Sequence, residues 1–323
     1  MKNSIIILFL SVSAALFGQE REIPYQTRSL SGENIGQVDV TTSGGSIAVT
    51  GVPGSEARVE VYVRGNSSAS LSKEEIRERM ENYKLEISVS GNKLVATASP
   101  KERNLNWKRA LSISFRVFVP EKVNTRLRTS GGSIRLTRLS GSHDFSTSGG
   151  SLSLSGLSGE ISGRTSGGSI SAEGSSGNID LSTSGGSVNL TGLHGTIKAR
   201  TSGGSIKSTG IAGQLQAHTS GGSIRMSDLS CSLDASTSGG SMDVQMKDLG
   251  KYLKLANSGG NIQLQIPGSK GIKLDIRGRR VNASTLKNFN GQMDDDRIEG
   301  DLNGGGIPVT VDASSGGVTL SVK

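Results

Sequence analysis

Thr129-Ser130-Gly131-Gly132-Ser133-Ile134 decides the fold, because the chain keeps returning to it. Thr147, Thr165, Thr183, Thr201, Thr219 and Thr237 each open the same Thr-Ser-Gly-Gly-Ser, followed by Leu, Ile, Val or Met, and each start lies 18 residues after the last. A fixed period of this size marks stacked coils rather than a globular core. Weaker copies at Thr42 to Ile47, Asn257 to Ile262 and Ser315 to Val318 extend the pattern on both sides.

Within a coil the apolar positions are the sixth (Ile134, Leu152, Ile170, Val188, Ile206, Ile224, Met242), often the eighth and eleventh, then the fifteenth (Ile161, Ile179, Ile197, Leu215, Leu233) and seventeenth. Spacing of two within each group is strand periodicity. The expected class is therefore all-β: a parallel β-helix or solenoid of 18-residue coils, two short strands per coil. The repeat Thr falls in phase with the fifteenth and seventeenth positions, so it should point inward, which argues against a flat Thr array for binding ice.

The paired glycines Gly131, Gly132, Gly149, Gly150, Gly167, Gly168, Gly185, Gly186, Gly203, Gly204, Gly221, Gly222, Gly239 and Gly240 are expected to reverse the chain by adopting positive φ. Replacing Gly185 and Gly186 with Val should then disrupt the coil. A second turn is expected near the thirteenth position, at Gly141, Gly159, Gly177, Gly195 and Gly213, with Cys231 as a small residue in the same slot.

The flanks divide the chain further. Residues 1–18, charged at Lys2 and apolar from Ile5 to Leu10, read as a secretory signal peptide cut around Gly18. The apolar run is too short and too interrupted to span a bilayer. Residues 19–57 should hold the first strands, and 58–120 an α+β insertion that caps an open solenoid end. That insertion contains a helix opening at Ser72 with Glu75 three residues later, a hairpin turning at Ser90-Gly91-Asn92, and Trp107 as a cap-packing residue. Regular coils occupy 121–256 and irregular final coils 257–323. A lone Cys231 excludes an internal disulfide.

The tandem Ser-Gly-Gly-Ser-Ile turns, with the closing run Asn303 to Val309 and Ala313 to Leu320, resemble the bacterial "putative adhesin" domain family, in a Bacteroidetes-like exported form. The layout of Val59 to Val63, the Lys73 to Asn82 helix and Phe115 to Pro120 fits the same resemblance. It implies a β-solenoid and a cell-envelope setting, and carries no catalytic residues with it.

A search for chemistry leaves little. Glycosidases need two carboxylates across a cleft, and the outward seventh positions (Arg135, Ser153, Ser171, Asn189, Lys207, Arg225, Asp243) hold a single one, so no strip of carboxylates is expected on the regular coils. Ser142-His143-Asp144 cannot form a relay, since contiguous strand residues alternate faces. His143, His194 and His218 lack metal-ligand spacing. Asp294-Asp295-Asp296, with Glu299 and Asp301, has the oxygen ligands for a cation but not a calcium-loop spacing, so a solvated loop is expected. No cofactor motif is present.

The formal net charge is +8, which favours anionic partners. Arg128, Arg164, Arg200 and His218 share one coil position and are the candidate binding surface. The scarcity of aromatics argues against nucleic acid. The expectation is a non-enzymatic, exported, adhesin-like scaffold that binds an anionic glycan or an envelope protein. The alternatives are a partner-binding component of an envelope-stress response and a polysaccharide-active enzyme.

Overall fold

The computed structural model describes residues 23–66, 71–102 and 109–323; the signal-peptide reading of 1–18 and Trp107 lie outside the described residues. The chain forms a β-solenoid in which equivalent residues of successive coils pair in parallel at an offset of 18, as in Ser158–Thr165 against Ser176–Thr183, where Ile161 faces Ile179 and Thr165 faces Thr183. Each regular coil has a short strand such as Ile170–Glu173 and a long one such as Ser176–Thr183.

Stacking turns each apolar position into a column. The sixth position runs Phe115, Ile47, Ile134, Leu152, Ile170, Val188, Ile206, Ile224, Met242, Ile262, Val318 and Val281, each in register with the next. All of them are buried. One member of the interior is oversized: Phe145 projects over Gly163, where a Cβ would lie 2.4 Å from the ring. The glycine makes room for the aromatic in an otherwise aliphatic column.

The Thr-Ser-Gly-Gly-Ser turn works differently from expectation. None of its paired glycines has positive φ. Instead, a Cβ on the second glycine would strike the coil beneath: on Gly150 it would lie 2.0 Å from the Gly132 carbonyl oxygen, and on Gly186 2.1 Å from that of Gly168. The first glycine is in ordinary contact only, 3.6 Å for Gly185. The pair is therefore explained by close approach at one residue, not by chain reversal at two.

Threonine and serine complete the joint. Thr183 Oγ1 donates to the Gly168 carbonyl of the preceding coil at 2.8 Å and accepts from the Gly186 amide at 3.3 Å. The Ser187 amide donates to Ser169 Oγ at 3.2 Å. The same bonds recur from coil to coil, and the repeat threonines are buried. Where the motif drifts to Asn257, its amide nitrogen donates to Gly240 and its oxygen accepts from the Gly259 and Gly260 amides, reproducing both roles.

The second turn also sits elsewhere. Positive φ falls at the tenth position: Arg138, Gly156, Gly174, Gly192, Gly210 and Asp228 have φ between 52° and 67°. The thirteenth-position glycines also take positive φ, between 107° and 140°, but they lie inside the long strands, stacked so that a Cβ on Gly159 would meet the Gly141 oxygen at 2.2 Å. Cys231 lies in the strand Ile224–Thr237, not in a turn, with its thiol buried and pushed up to about 12 by burial.

At both ends spatial order departs from chain order. Gln37–Thr42 and Ile47–Gly51 stack directly on Asn124–Thr129 and Ile134–Thr137. The intervening segment passes beneath them, adding Lys93–Pro100 and Leu111–Val119 as a further parallel layer. Outside that layer pairing becomes antiparallel, with Tyr83–Ser90, Arg58–Gly65 and Gln26–Ser29. The helix Lys73–Met80 starts at a reciprocal Ser72–Glu75 capping box.

The C-terminal end repeats the device. The last strand, Ile307–Val322, is not outermost: it lies between Met242–Asn257 and Ile262–Ile266 on one side and Ile272–Ala283 on the other. Arg297–Leu302 and Phe289–Met293 then close the end in antiparallel fashion. Within 257–323, the stretch expected to hold irregular final coils, the last strand is inserted out of chain order. Tucking it one layer in gives it neighbours on both sides, whereas an outermost strand would leave one edge bare.

The glycine contacts predict an asymmetry. Gly186→Ala forces a backbone shift and should lower the thermal midpoint by several degrees, at about 2–4 °C per kcal/mol for a chain of this size. Gly185→Ala should leave it nearly unchanged. A calorimetric comparison of the two variants checks this, and equal losses would refute the close-approach explanation.

Candidate functional site

The long strands present three outward positions per coil, the fourteenth, sixteenth and eighteenth, while the fifteenth and seventeenth turn inward. On this face Arg128, Ser146, Arg164, Ser182, Arg200, His218 and Ser236 follow one another in register. The four residues singled out from the sequence therefore share one column, with the arginines on alternate coils about 10 Å apart.

The column is not uniformly basic, because the sixteenth position supplies counter-charges. Arg128 Nη2 lies 2.5 Å from Asp144 Oδ2 and Arg200 Nη1 3.3 Å from Asp180 Oδ1. His218 Nδ1 and Ser236 Oγ are 2.8 Å apart. Arg164, exposed between Ser146 and Ser182, has no hydrogen-bond or ion-pair partner among the described residues. It stands over a shallow groove of about 420 Å³ walled by Ser146, Ser148, Ser166, Ser182 and Ser184. The geometry is one free cation in a hydroxyl-lined channel, suited to hydrogen-bonding a chain of hydroxyls bearing an occasional anion.

A neighbouring groove on the same face corrects the expectation that carboxylates do not gather on the regular coils. Asp144, Glu160 and Asp180 line it together with Ser162, Asn178 and Lys198. Scanning the seventh position missed them, because they come from two other columns and meet only when coils stack. Two of the three are committed to arginines, and Glu160 accepts from Asn178 Nδ2 at 2.6 Å.

Other candidates are dispersed. Asp294 to Asp296 form the turn between Phe289–Met293 and Arg297–Leu302, and the Asp295 and Asp296 carbonyls receive the Val281 and Gly278 amides. Among the described residues no three His, Cys, Asp or Glu side chains are grouped to hold a metal ion. Among the described residues no helix is long and apolar enough to cross a membrane.

The N-terminal cap carries a cluster that the sequence reading did not find. Arg58 stacks on Phe118 at 3.8 Å and Arg116 on Tyr62 at 4.1 Å. Glu60 accepts from Arg58 Nε at 2.7 Å and from the Tyr62 hydroxyl at 2.8 Å. Burial alone would raise the Glu60 pKa, but these bonds and the two arginines outweigh it and hold the carboxyl below its usual range. The alternation Arg58, Glu60, Tyr62, Arg64 was the available signal, since it places all four on one strand face.

His143 is a buried imidazole among the inward columns. Its column runs Leu94, Val38, Thr125, His143, Ile161, Ile179, Ile197, Leu215 and Leu233, so an imidazole occupies an aliphatic slot. Nδ1 bonds Thr125 Oγ1 at 3.1 Å, while Nε2 is buried without a partner. Burial lowers the pKa from 6.5 to about 4, with the Leu139 backbone opposing weakly.

Residues 29–321 match the family model described as Toastrack DUF4097. No curated protein matched the sequence. Two solved structures are similar. One, from Bacteroides fragilis and described as "a putative adhesin", is 13% identical, covering 92% of this chain and 96% of its own with a TM-score of 0.32. The other, from Clostridium sporogenes and described as "a putative cell adhesion protein", is 12% identical, covering 92% and 98% with a TM-score of 0.21.

The His143 column yields a pH prediction. Because the folded pKa lies below the unfolded one, the unfolded chain binds the extra proton between pH 6.5 and about 4. Stability should therefore fall as pH drops through that window, by up to about 3 kcal/mol, and level off below it. His143→Ile, matching Ile161 and Ile179, should stabilise the protein and reduce the slope. Thermal midpoints measured from pH 7.5 to 3.5 test it; an unchanged slope would remove His143 as the cause.

Proposed function

As a member of the Toastrack DUF4097 family, this chain is a β-solenoid matched over residues 29–321, and we propose that it is an exported, non-enzymatic, adhesin-like scaffold that binds an acidic glycan along its long-strand face. The observation that carries the reading is Arg164 standing without a counter-charge above the serine-walled groove, between two arginines neutralised by Asp144 and Asp180. Hydroxyl ladders at a fixed rise suit a linear polymer better than a compact ligand, since each coil repeats the same contacts about 4.8 Å further along. Export follows from the reading of Met1 to Gly18 as a signal peptide.

A polysaccharide-active role is favoured by one observation, the meeting of Asp144, Glu160 and Asp180 on a single groove. The two readings separate on variants. Binding to immobilised acidic glycans should be salt-sensitive and should weaken about ten-fold in Arg164→Ser, a residue type its column neighbours Ser146 and Ser182 already accommodate. Depolymerisation of a polysaccharide by the purified protein, abolished by Glu160→Gln, would replace the scaffold reading with the enzymatic one.

A further inference from the structure

The short strands form the opposite face, whose seventh and ninth positions point outward. Here the column runs Arg135, Ser153, Ser171, Asn189, Lys207, Arg225 and Asp243 in register. Lys207 and Arg225 are adjacent: they face each other across the pairing of Ile206–Thr209 with the start of Ile224–Thr237. Both are exposed, and neither has an ion-pair partner among the described residues. Asp243 faces Arg225 across the next strand pairing without an ion pair between them among the described residues, and Lys247 on the same strand as Asp243 is held by Asp228 at 3.7 Å.

Like charges directly opposite on adjacent strands destabilise a sheet. Elsewhere this chain avoids that cost. The long-strand arginines alternate with serines or are neutralised by aspartates, and Arg277 and Arg297, which also meet in register, are each paired with a carboxylate, Asp275 and Glu299. Among the described residues neither Lys207 nor Arg225 has an ion-pair partner, and the one opposite charge beside the pair is Asp243, in register with Arg225 on its far side from Lys207.

Two residues along each strand, Thr209 Oγ1 and Ser227 Oγ lie 3.2 Å apart. One of these hydroxyls donates to the other, which leaves the second hydrogen free to donate outward. Two cations and one free hydroxyl thus converge on one exposed patch, with Asp243 on the far side of Arg225. An arginine fork and an ammonium on adjacent strands can share one oxyanion through charge-assisted bonds.

We propose that Lys207 and Arg225, with Thr209 and Ser227, form a site for a tetrahedral oxyanion, a sulfate or phosphate group. The site is independent of the glycan reading of the long-strand face, because it takes the inorganic ion alone.

The experiment uses the purified chain and a double variant, Lys207→Ser with Arg225→Ser, the residue present at Ser153 and Ser171 in the same column. In dilute sodium chloride the variant should be as stable as the parent or more so, since repulsion has been removed. Titrating sodium sulfate or phosphate against chloride at matched ionic strength should raise the parent's thermal midpoint with saturation. Binding followed by calorimetry should weaken about ten-fold or more in the variant. Identical responses of the two proteins, or a variant less stable in dilute chloride, would overturn the site. A parallel comparison distinguishes the source of the group. Preference for a sulfated polysaccharide over vesicles carrying anionic phospholipid supports a glycan ester, and the reverse supports a lipid headgroup. Loss of either preference in the double variant supports the site, and its retention counts against it.

Discussion

Coils can stack at strand-pairing distance at the Thr-Ser-Gly-Gly-Ser corner only because the second glycine carries no side chain. From Gly45, whose Cβ would fall 1.9 Å from the Ile113 oxygen, through Gly132, Gly150 and their successors to Gly316, at 2.0 Å from the Gly260 oxygen, the same contact recurs along the solenoid. Backbone against backbone is the least adjustable contact in a protein, so this column sets the offset of each coil on the next. The threonine hook then satisfies the carbonyl that such closeness would otherwise bury unpaired. With the offset fixed, identical residues lie over one another, and the apolar columns follow without further specification.

The same constraint explains why the ends need separate devices. A stacking rule that adds one coil to another contains no instruction to stop, and an open coil offers a full row of unpaired groups. Both ends stop by changing pairing sense. Tyr83–Ser90 and Arg58–Gly65 run antiparallel at one end, Arg297–Leu302 and Phe289–Met293 at the other. Antiparallel strands cannot reproduce the glycine joint, so the repeat cannot continue past them. At the N-terminal end Arg28 Nη1 also reaches the Ile87 carbonyl at 2.5 Å, tying two edge strands together.

Much of this was readable from the chain because a solenoid is nearly one-dimensional: sequence period and structural period are the same quantity. The strands, the inward phase of Thr183 and the Ser72–Glu75 helix start all depend on local spacing. What escaped depends on neighbours in space. The role of Gly186 is visible only once the Gly168 carbonyl lies beneath it, and a glycine needed for closeness looks the same in sequence as one needed for positive φ. The true turn column at Gly156, Gly174, Gly192 and Gly210 was present at the same period but was masked by the thirteenth-position glycines. Arg138 and Asp228 interrupt it, and Arg138 is a residue type that seldom adopts positive φ. The inserted strand Ile307–Val322 carries a weaker copy of the motif, and nothing local says that it pairs with Ile262 rather than following Ala283.

The candidate sites follow the same division. Arg128, Arg164 and Arg200 could be placed in one column from the period alone, but their pairing with Asp144 and Asp180 crosses from one column and coil to another, so the face looked more basic than it is. Because the interior fixes register, an outward substitution changes the surface without moving the backbone, and charge arrangement is left free to answer to something other than folding. On the long-strand face that freedom is used to balance Arg128 and Arg200, leaving Arg164 as the arginine of its column without a counter-charge among the described residues. On the short-strand face it places Lys207 against Arg225 where Ser, Asn or Thr would fold equally well, as Ser153, Ser171 and Asn189 do in the same column. A repulsion that the fold does not require, set on a rigid lattice beside a hydroxyl pair, is accounted for by a ligand rather than by the scaffold.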